Sequence, residues 1–284
     1  MTAHPFGLSD SELHTLPCAY RDDLLAGITV VVSGGASGIG KATAWLCGRL
    51  GAEVVLVSRD AAKLDAARAA MAAAGLRAVA YPLNIRDPDQ VRDTLATITA
   101  EVGNFTVLIN SAGGQFPKPA LDITDNGWRA VVDTNLNGTW YMMQAAARLW
   151  RDRGRGGAIV NLVAVVDRGM VDMAHSCAAR AGVIHLSKTL AVEWAPLGIR
   201  VNCVAPGVIA SEGMTVYSDT ARAAFPGSNP MMRFGSPWEV AQAVVYLASP
   251  AAAFITGDTL TIDGGGRLWG ELWPHAKPDY FKSL

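Results

Sequence analysis

Short runs of apolar, mostly β-branched residues recur along the chain and are separated by longer alanine-rich stretches. The runs are ITVVVS (28–33), AEVVLVS (52–58), AVAYPL (78–83), FTVLIN (105–110), GAIVNLV (157–163), IRVNCV (199–204) and TLTIDGG (259–265). The stretches between them, such as AAKLDAARAAMAAAG, are rich in residues that favour helix. Continuous apolar strands alternating with helices are typical of a parallel sheet that is covered on both faces. The pattern therefore predicts an α/β fold with a doubly wound parallel sheet.

Two segments fall outside this alternation. Residues 1–24 form an extension before the first run, and residues 267–284 form a tail that contains Trp269, Trp273, Tyr280 and Phe281. No linker rich in proline or serine interrupts the chain, so we expect one domain across residues 1–284. The aromatic tail is expected to dock on the parent fold or on a sister subunit, or to act as a lid over a ligand.

Composition and charge argue against several classes of partner. Half of the 284 residues are apolar, 17% are charged, and the net charge is -1, so no basic surface for nucleic acid or an anionic membrane is expected. The amino terminus lacks the pattern of a signal peptide, and no apolar run is long enough to span a bilayer. The cysteines are widely spaced and fit packing roles in a reduced compartment. We therefore expect a cytoplasmic protein with no metal, nucleic-acid or membrane partner.

A glycine-rich segment, SGGASGIG, follows the first predicted strand and leads into a helix that begins near Ile39. Glycines at such a turn let the backbone approach a ligand, and the helix start offers free amides to a pyrophosphate. Because the segment lies in a strand–helix–strand unit, it predicts a dinucleotide site of the Rossmann type. The residues assigned to this site are Gly34, Ser37, Gly38, Ile39 and Gly40.

The residues after the second strand indicate which dinucleotide binds. An acidic residue here would bind the ribose hydroxyls of NAD, but the chain has Ser58 and Arg59. Arginine forms charge-assisted, often bidentate bonds with phosphate, so the pair favours the 2′-phosphate of NADPH. Asp60 is expected to cap the next helix instead of binding ribose.

With these pieces in place, the chain resembles the short-chain dehydrogenase/reductase family from about Leu25 to Gly265. The resemblance is carried by the glycine loop and by the segments NSAGG (110–114), DTNLNGTW (133–140) and VAPGVIASEG (204–213). It implies that Asn135 holds a water in a proton relay and that further residues contact the cofactor. Those expected near the adenine side are Asn84, Ile85, Asn110, Ala112 and Gly113, and those expected near the nicotinamide are Pro206, Gly207 and Ile209.

The resemblance fails where that family carries its catalytic groups. Val163 and Ala164 stand in place of its serine, and Ser176 and Arg180 replace its Tyr-x-x-x-Lys pair. The segments GGQF, GWRAVVDTNLNGTWYM, HSCAARAGV and SPAAAFITG are similar to the peroxisomal trans-2-enoyl-CoA reductase branch, which also departs from that pair. This match implies NADPH, an acyl-CoA thioester with a carbon–carbon double bond as substrate, and a homotetramer. The loop at 210–234 is expected to shape the substrate pocket.

The replaced residues suit a thioester better than a ketone. Reducing a ketone creates an alkoxide that needs a proton, which a serine hydroxyl is too weak an acid to supply and a guanidinium retains. Hydride addition to an enoyl thioester instead places charge on the thioester oxygen, where hydrogen-bond donors suffice. We therefore assign Ser176 as a donor to that oxygen, Arg180 as the residue that holds the nicotinamide ribose, and Asn135 as the third catalytic residue.

Two alternatives stay open beside the NADPH-dependent enoyl reductase. One is a dehydrogenase of an alcohol, aldehyde or ketone with a branched or terpenoid substrate. The other is a nucleotide-binding protein without turnover, because an intact glycine loop beside altered catalytic positions fits that class too. His175 is the remaining candidate acid, since imidazole is the usual proton carrier near neutral pH, but on a helix it points about 100° away from Ser176.

Overall fold

The computed structural model describes residues 6–269, which contain one seven-stranded sheet in the order β3-β2-β1-β4-β5-β6-β7. Every neighbouring pair of strands is parallel. The strands are β1 (Thr29–Ser33), β2 (Glu53–Ser58), β3 (Ala78–Pro82), β4 (Val107–Asn110), β5 (Gly157–Leu162), β6 (Ile199–Pro206) and β7 (Thr259–Ile262). All seven apolar runs thus form strands, and the predicted doubly wound parallel sheet is confirmed.

Nine α-helices surround the sheet in the described part of the chain. They are α1 (Asp10–Thr15), α2 (Gly38–Arg49), α3 (Ala61–Ala73), α4 (Pro88–Glu101), α5 (Asp125–Val132), α6 (Thr139–Asp152), α7 (Ala174–Trp194), α8 (Asp219–Ala224) and α9 (Pro237–Ala248). A π-helical turn, Asp133–Gly138, joins α5 to α6. None of the helices within residues 6–269 has the length and apolar character that a bilayer crossing requires.

The two faces of the sheet explain why the strands are apolar without interruption. In β1, Val30 and Val32 belong to the core beneath α2 and α9, whereas Val31 belongs to the opposite core beneath α4 and α6. All three valines are fully buried. Because successive side chains of a strand point to opposite faces, a strand covered on both sides has no position left for a polar residue.

The strand order places a crevice at the carboxyl edge of the sheet. From β1 the chain proceeds outward to β2 and β3, and it then returns to the other side of β1 with β4. The loops that follow β1 and β4 therefore diverge, and such a reversal of strand order is where doubly wound sheets bind ligands.

The N-terminal extension docks on α2 and α9. Its helix α1 begins with a capping box in which Ser9 and Glu12 exchange hydrogen bonds. Arg49 donates to the carbonyl of Leu16 at 2.8 Å, and the indole N–H of Trp238 donates to the carbonyl of Pro17 at 2.8 Å. The extension is thus an ordered part of the fold where the structure describes it. Most of the predicted aromatic tail, including Trp273, Tyr280 and Phe281, lies outside the described residues.

Candidate active site

The loop between β1 and α2 forms a backbone cradle at the crevice. Gly34 has a φ of +71°, and a methyl group on it would lie 2.8 Å from the amide nitrogen of Ala112. A methyl group on Gly40 would collide with the carbonyl of Gly34. Ser37 precedes α2 in an extended conformation, and its side chain does not cap the helix. Backbone amides and the positive end of α2 therefore face the crevice, as pyrophosphate binding requires.

The crevice is a cleft of about 810 Å³. It contains most of the residues predicted for the site. These are Gly34, Ser37, Gly38, Ile39, Ser58, Arg59, Asn84, Ile85, Ala112, Gly113, Arg180, Pro206, Gly207 and Ile209. Four predicted residues, Gly40, Asn110, Asn135 and Ser176, lie behind the cleft wall instead.

The residues after β2 present a positive group beside a helix cap. Asp60 precedes α3 and accepts the amide N–H of Lys63 at 3.1 Å, so the predicted capping role is confirmed. Arg59 is exposed at the cleft, and its guanidinium forms no hydrogen bond or ion pair with the rest of the described chain. Lys63, which the sequence analysis missed, lines the same part of the cleft. The two cations suit a phosphate group.

The side chain of Asn84 forms a hydrogen bond within the turn that contains it. Its amide oxygen accepts the backbone N–H of Arg86 at 3.2 Å, and its backbone N–H donates to Gln90 at 2.5 Å. Asn84 therefore offers only its amide N–H₂ group to a ligand in the cleft.

Asn110 belongs to a buried polar network beneath the cleft. Its amide donates to the side chain of Asn161 at 2.8 Å, and Asn161 donates to the hydroxyl of Ser187 at 2.9 Å. All three side chains are buried. The network joins β4, β5 and α7, so it ties the strand ends to the helix that carries Ser176.

Asn135 is fully buried in the π-helical turn. Its amide donates to the carbonyl of Gly114 at 2.9 Å and accepts the N–H of Gly114 at 3.0 Å. A methyl group on Gly113 would collide with both Asn135 and Arg180. Asn135 thus holds the loop that follows β4 in place, and both of its amide groups have protein partners.

Ser176 lies behind the cleft wall and begins a chain of hydrogen bonds that connects α7 with the loop after β6. Its hydroxyl donates to Oε1 of Gln115 at 2.7 Å, and Nε2 of Gln115 donates to the phenol oxygen of Tyr217 at 2.6 Å. Gln115 and Tyr217 both line the cleft. Neither was predicted, although Tyr217 is the one tyrosine in the loop expected to shape the pocket.

Arg180 lies one helical turn after Ser176 on α7 and lines the cleft. Its guanidinium donates to the carbonyl of Leu162 at 2.5 Å. Burial lowers the pKa of Arg180 to about 10, so the group stays protonated at neutral pH. Val163 and Ala164 line the cleft after β5 and supply no hydroxyl. The result is a fixed positive charge beside an apolar wall.

His175 accepts a backbone hydrogen bond at the start of α7. Its Nδ1 accepts the backbone N–H of Ser176 at 2.8 Å, and its ring packs edge-on against Phe116 with centroids 4.6 Å apart. The ring is buried, and Nε2 contacts no hydrogen-bond partner in the described chain. His175 does not line the cleft, and its Nδ1 already accepts a backbone N–H, so the arrangement does not favour it as the acid.

Glu212 brings a negative charge to the glycine cradle. A methyl group on Gly38 would lie 3.6 Å from its Oε2, and that oxygen is buried without a hydrogen-bond partner in residues 6–269. Glu212 therefore places a carboxylate beside the glycine cradle with one oxygen unpaired within residues 6–269.

The chain is similar to known proteins over most of its length. The model of a family described as enoyl-(acyl carrier protein) reductase matches residues 34–266. The chain is 37% identical to a probable 2,4-dienoyl-CoA reductase, (2E)-enoyl-CoA-producing, of Bacillus subtilis, over 83% of this chain and 95% of that one. It is also 37% identical to the mouse peroxisomal 2,4-dienoyl-CoA reductase, (3E)-enoyl-CoA-producing, over 89% and 87%.

A solved structure shows the same fold. The citronellol catabolism dehydrogenase of Pseudomonas aeruginosa superposes with a TM-score of 0.79 at 39% identity, covering 88% of this chain and 99% of that one. The matched length, the strand order and the glycine cradle agree with the expected family. The chain belongs to the short-chain dehydrogenase/reductase family of oxidoreductases.

Proposed function

We propose that the protein is an NADPH-dependent reductase that saturates the carbon–carbon double bond of a trans-2-enoyl-CoA. The observation that carries this proposal is the set of groups on α7 and beside it. Gln115, held by Ser176, supplies a hydrogen-bond donor at the cleft, Arg180 supplies a fixed charge, and α7 has no tyrosine or lysine at the usual positions.

The cleft suits a dinucleotide. Gly34 and Gly40 let the backbone of the cradle pack closely where any side chain would collide with it, which is the tight turn that a pyrophosphate loop requires. Arg59 and Lys63 suit the 2′-phosphate, and we assign Arg180, which lines the same cleft, to the nicotinamide ribose. When bound, the nicotinamide supplies a hydride.

The site residues stabilise negative charge on the substrate oxygen. Hydride addition at the β-carbon of an enoyl thioester leaves an enolate, whose oxygen needs donors in a site with little water. The amide of Gln115 lines the cleft and is such a donor, and Ser176, which the sequence analysis assigned as the donor, acts by holding Gln115 through its hydroxyl. Removal of one oxyanion donor costs about 2.7–4 kcal/mol in a measured case. The positive charge of Arg180 favours the same anion.

The decisive experiment compares substrates under one set of conditions. Turnover with NADPH is measured for trans-2-enoyl-CoA esters, for 2,4-dienoyl-CoA esters and for a panel of ketones and aldehydes. We expect the enoyl and dienoyl thioesters to be reduced and simple ketones to be left nearly unchanged. Ketone reduction faster than that of any enoyl thioester would overturn the proposal, and NADPH binding without turnover of any substrate would favour a sensor.

A dehydrogenase of a branched or terpenoid alcohol is the second candidate. It is favoured by the 39% identity to a protein named for citronellol catabolism. Oxidation of citronellol and geraniol with NADP⁺ and NAD⁺ tests it directly. Turnover of these alcohols without turnover of enoyl thioesters would put this candidate first.

We further propose that the protein acts in the cytoplasm as a homotetramer. Several large apolar side chains are exposed in the described chain, and such side chains mark an interface where they form a contiguous patch. They include Leu121, Val192, Phe254 and Leu268, each at least three-quarters exposed. Light scattering at micromolar concentration that gives the mass of a monomer would contradict the assembly.

A further inference from the structure

Tyr217 lines the cleft and is connected to Ser176 through Gln115, and it lies on an element that the usual catalytic positions of this family do not include. It follows the 3₁₀ turn Glu212–Val216 in the loop after β6, and it lines the cleft. Its phenol oxygen lies 2.6 Å from Nε2 of Gln115. The same glutamine accepts the hydroxyl of Ser176 at 2.7 Å, so one side chain connects α7 with the loop.

The direction of these hydrogen bonds leaves the hydroxyl proton of Tyr217 without an acceptor in the described chain. Gln115 donates to Tyr217 through its amide N–H₂, because its oxygen already accepts from Ser176. The phenol is therefore an acceptor in this contact and keeps its own O–H. No acceptor in residues 6–269 takes that proton. It is available to a molecule that enters the cleft.

Tyr217 is held firmly in this position. Its ring packs edge-on against Phe225, with centroids 5.0 Å apart and an interplanar angle of 88°. Its backbone carbonyl accepts Nη1 of Arg222 at 2.7 Å. A phenol whose ring is fixed and whose proton is free to be donated is positioned as general acid catalysis requires.

The protonation state of Tyr217 also suits a general acid. Burial raises the pKa of Tyr217, and the hydrogen bond from Gln115 opposes this only in part. The phenol is therefore protonated at neutral pH. Its side chain is only half-buried, so solvent can return a proton to it after each turnover.

We propose that Tyr217 is the general acid of this site and delivers the proton to the α-carbon of the substrate. The identity of the reacting carbon rests on the proposed function. A hydride adds to the β-carbon, and the electron pair of the double bond moves to the α-carbon and the thioester oxygen. The α-carbon then takes the proton of Tyr217, and the resulting phenolate takes a proton from water. The sum is one hydride and one proton added across the double bond.

The other groups near Ser176 are poorly suited to this step. His175 lies outside the cleft lining, with a buried Nε2. Arg180 donates to the carbonyl of Leu162, and its positive charge is needed to balance the enolate, so it acts as a fixed cation. Ser176 is too weak an acid. Tyr217 combines access to the cleft with a proton that it can release.

The test is Tyr217→Phe, with Tyr81→Phe as the matched control. The phenylalanine keeps the ring contact with Phe225, so only the hydroxyl is lost. Tyr81 lies on β3, where its hydroxyl donates to Glu101 at 2.7 Å, and it is absent from the cleft lining. We expect Tyr217→Phe to lower kcat about 100-fold or more while KM and NADPH affinity change by less than about threefold, since an acid acts in the transition state. Tyr81→Phe should keep the kcat of the parent.

A stereochemical measurement separates an acid from a residue that merely supports the loop. With trans-2-hexenoyl-CoA in deuterium oxide, the parent should place deuterium on one face of the α-carbon, as NMR of the product shows. Tyr217→Phe should give both faces in its slow residual reaction, because water then protonates a released enolate. A variant with unchanged kcat, or slow turnover that still labels one face, would overturn the assignment.

The same variant distinguishes this inference from the proposed function. If the parent reduces ketones but no enoyl thioester, the proposed function fails, and loss of ketone reduction in Tyr217→Phe would still identify the acid. If the parent reduces enoyl thioesters and the variant does so equally well, the acid is wrong and the function stands. If the parent turns over neither class, both are rejected.

Discussion

The choice of cofactor can be tested at Arg59, because this side chain contacts nothing that its removal would disturb. Its guanidinium is exposed at the cleft and has no protein partner in the described chain. Replacement therefore leaves the free protein unchanged to a good approximation, and the change in binding reports the interaction with ligand alone. We consider Arg59→Gln, which removes the charge, and Arg59→Asp, which reverses it.

The structure suggests the size of the effect. A hydrogen bond to a charged group contributes about 1.5–3 kcal/mol, and exposure to solvent puts Arg59 at the lower end of this range. We therefore expect Arg59→Gln to weaken NADPH binding about 10-fold. Arg59→Asp adds repulsion of similar size and should weaken NADPH about 100-fold. Binding of NADH, which lacks the 2′-phosphate, should change by less than about threefold in Arg59→Gln.

The assay is direct titration of the protein with NADPH and NADH, followed by calorimetry at two salt concentrations. Arg68→Gln is the matched control, because Arg68 lies on α3 with 46% of its side chain exposed and does not line the cleft. The contribution of Arg59 should shrink at high salt, since exposed charges are screened. Equal losses of NADPH and NADH affinity in Arg59→Gln would refute the assignment of this residue to the 2′-phosphate.

Three further predictions follow from groups around the site. Glu212→Gln should tighten NADPH binding, by up to about fivefold, because it removes a negative charge beside the glycine cradle; weaker binding in the same titration would show that the carboxylate assists the cofactor. Asn161→Ala should lower the free energy of unfolding by about 1–3 kcal/mol in urea, because it leaves the buried amide of Asn110 without its acceptor; a smaller loss would mean that the network is dispensable. The hydrogen bond from Arg233 lowers the pKa of Glu239, so this carboxylate stabilises the fold above its unfolded pKa and ceases to do so as the pH falls through its folded value. Glu239→Gln should therefore be less stable than the parent at pH 7, and the gap in melting temperature should close below the usual glutamate pKa of 4.5, whereas a constant gap at all pH values would point to packing alone.

The strands were predictable because burial on both faces forces every position to be apolar. Val31 and its neighbours in β1 show this pattern, and the cap at Asp60 was predictable because capping depends on residues close in the chain. Helix α1 was missed, although Ser9 and Glu12 have the spacing of a capping box. Rules that depend on residues close in the chain therefore predicted the strands, the cap at Asp60 and most of the glycine cradle.

The chain of hydrogen bonds through Gln115 could not be predicted in the same way. Gln115 and Tyr217 are 102 residues apart, and they meet because the sheet order brings the loops after β4 and β6 to one edge. The position of Ser176 behind the cleft wall also depends on this contact. Hydrogen bonds between residues so far apart in the chain depend on the order of the strands in the folded sheet. The sequence therefore predicted the loop at the pocket, but not the role of its tyrosine.

The docked N-terminal extension has a consequence for how the protein is made. The extension is synthesised before the sheet, but the carbonyl of Pro17 accepts from Trp238, 221 residues later. Asp10 forms an ion pair with Lys41 at 2.7 Å, directly after the glycine cradle, and Gly7 donates to the carbonyl of Ala210 at 3.0 Å, beside Glu212. Nascent domains start to fold from the N-terminal side, yet this segment gains its contacts with Ala210 and Trp238 only after α9 has been synthesised. Its packing beside the nucleotide cradle is therefore a late step in folding.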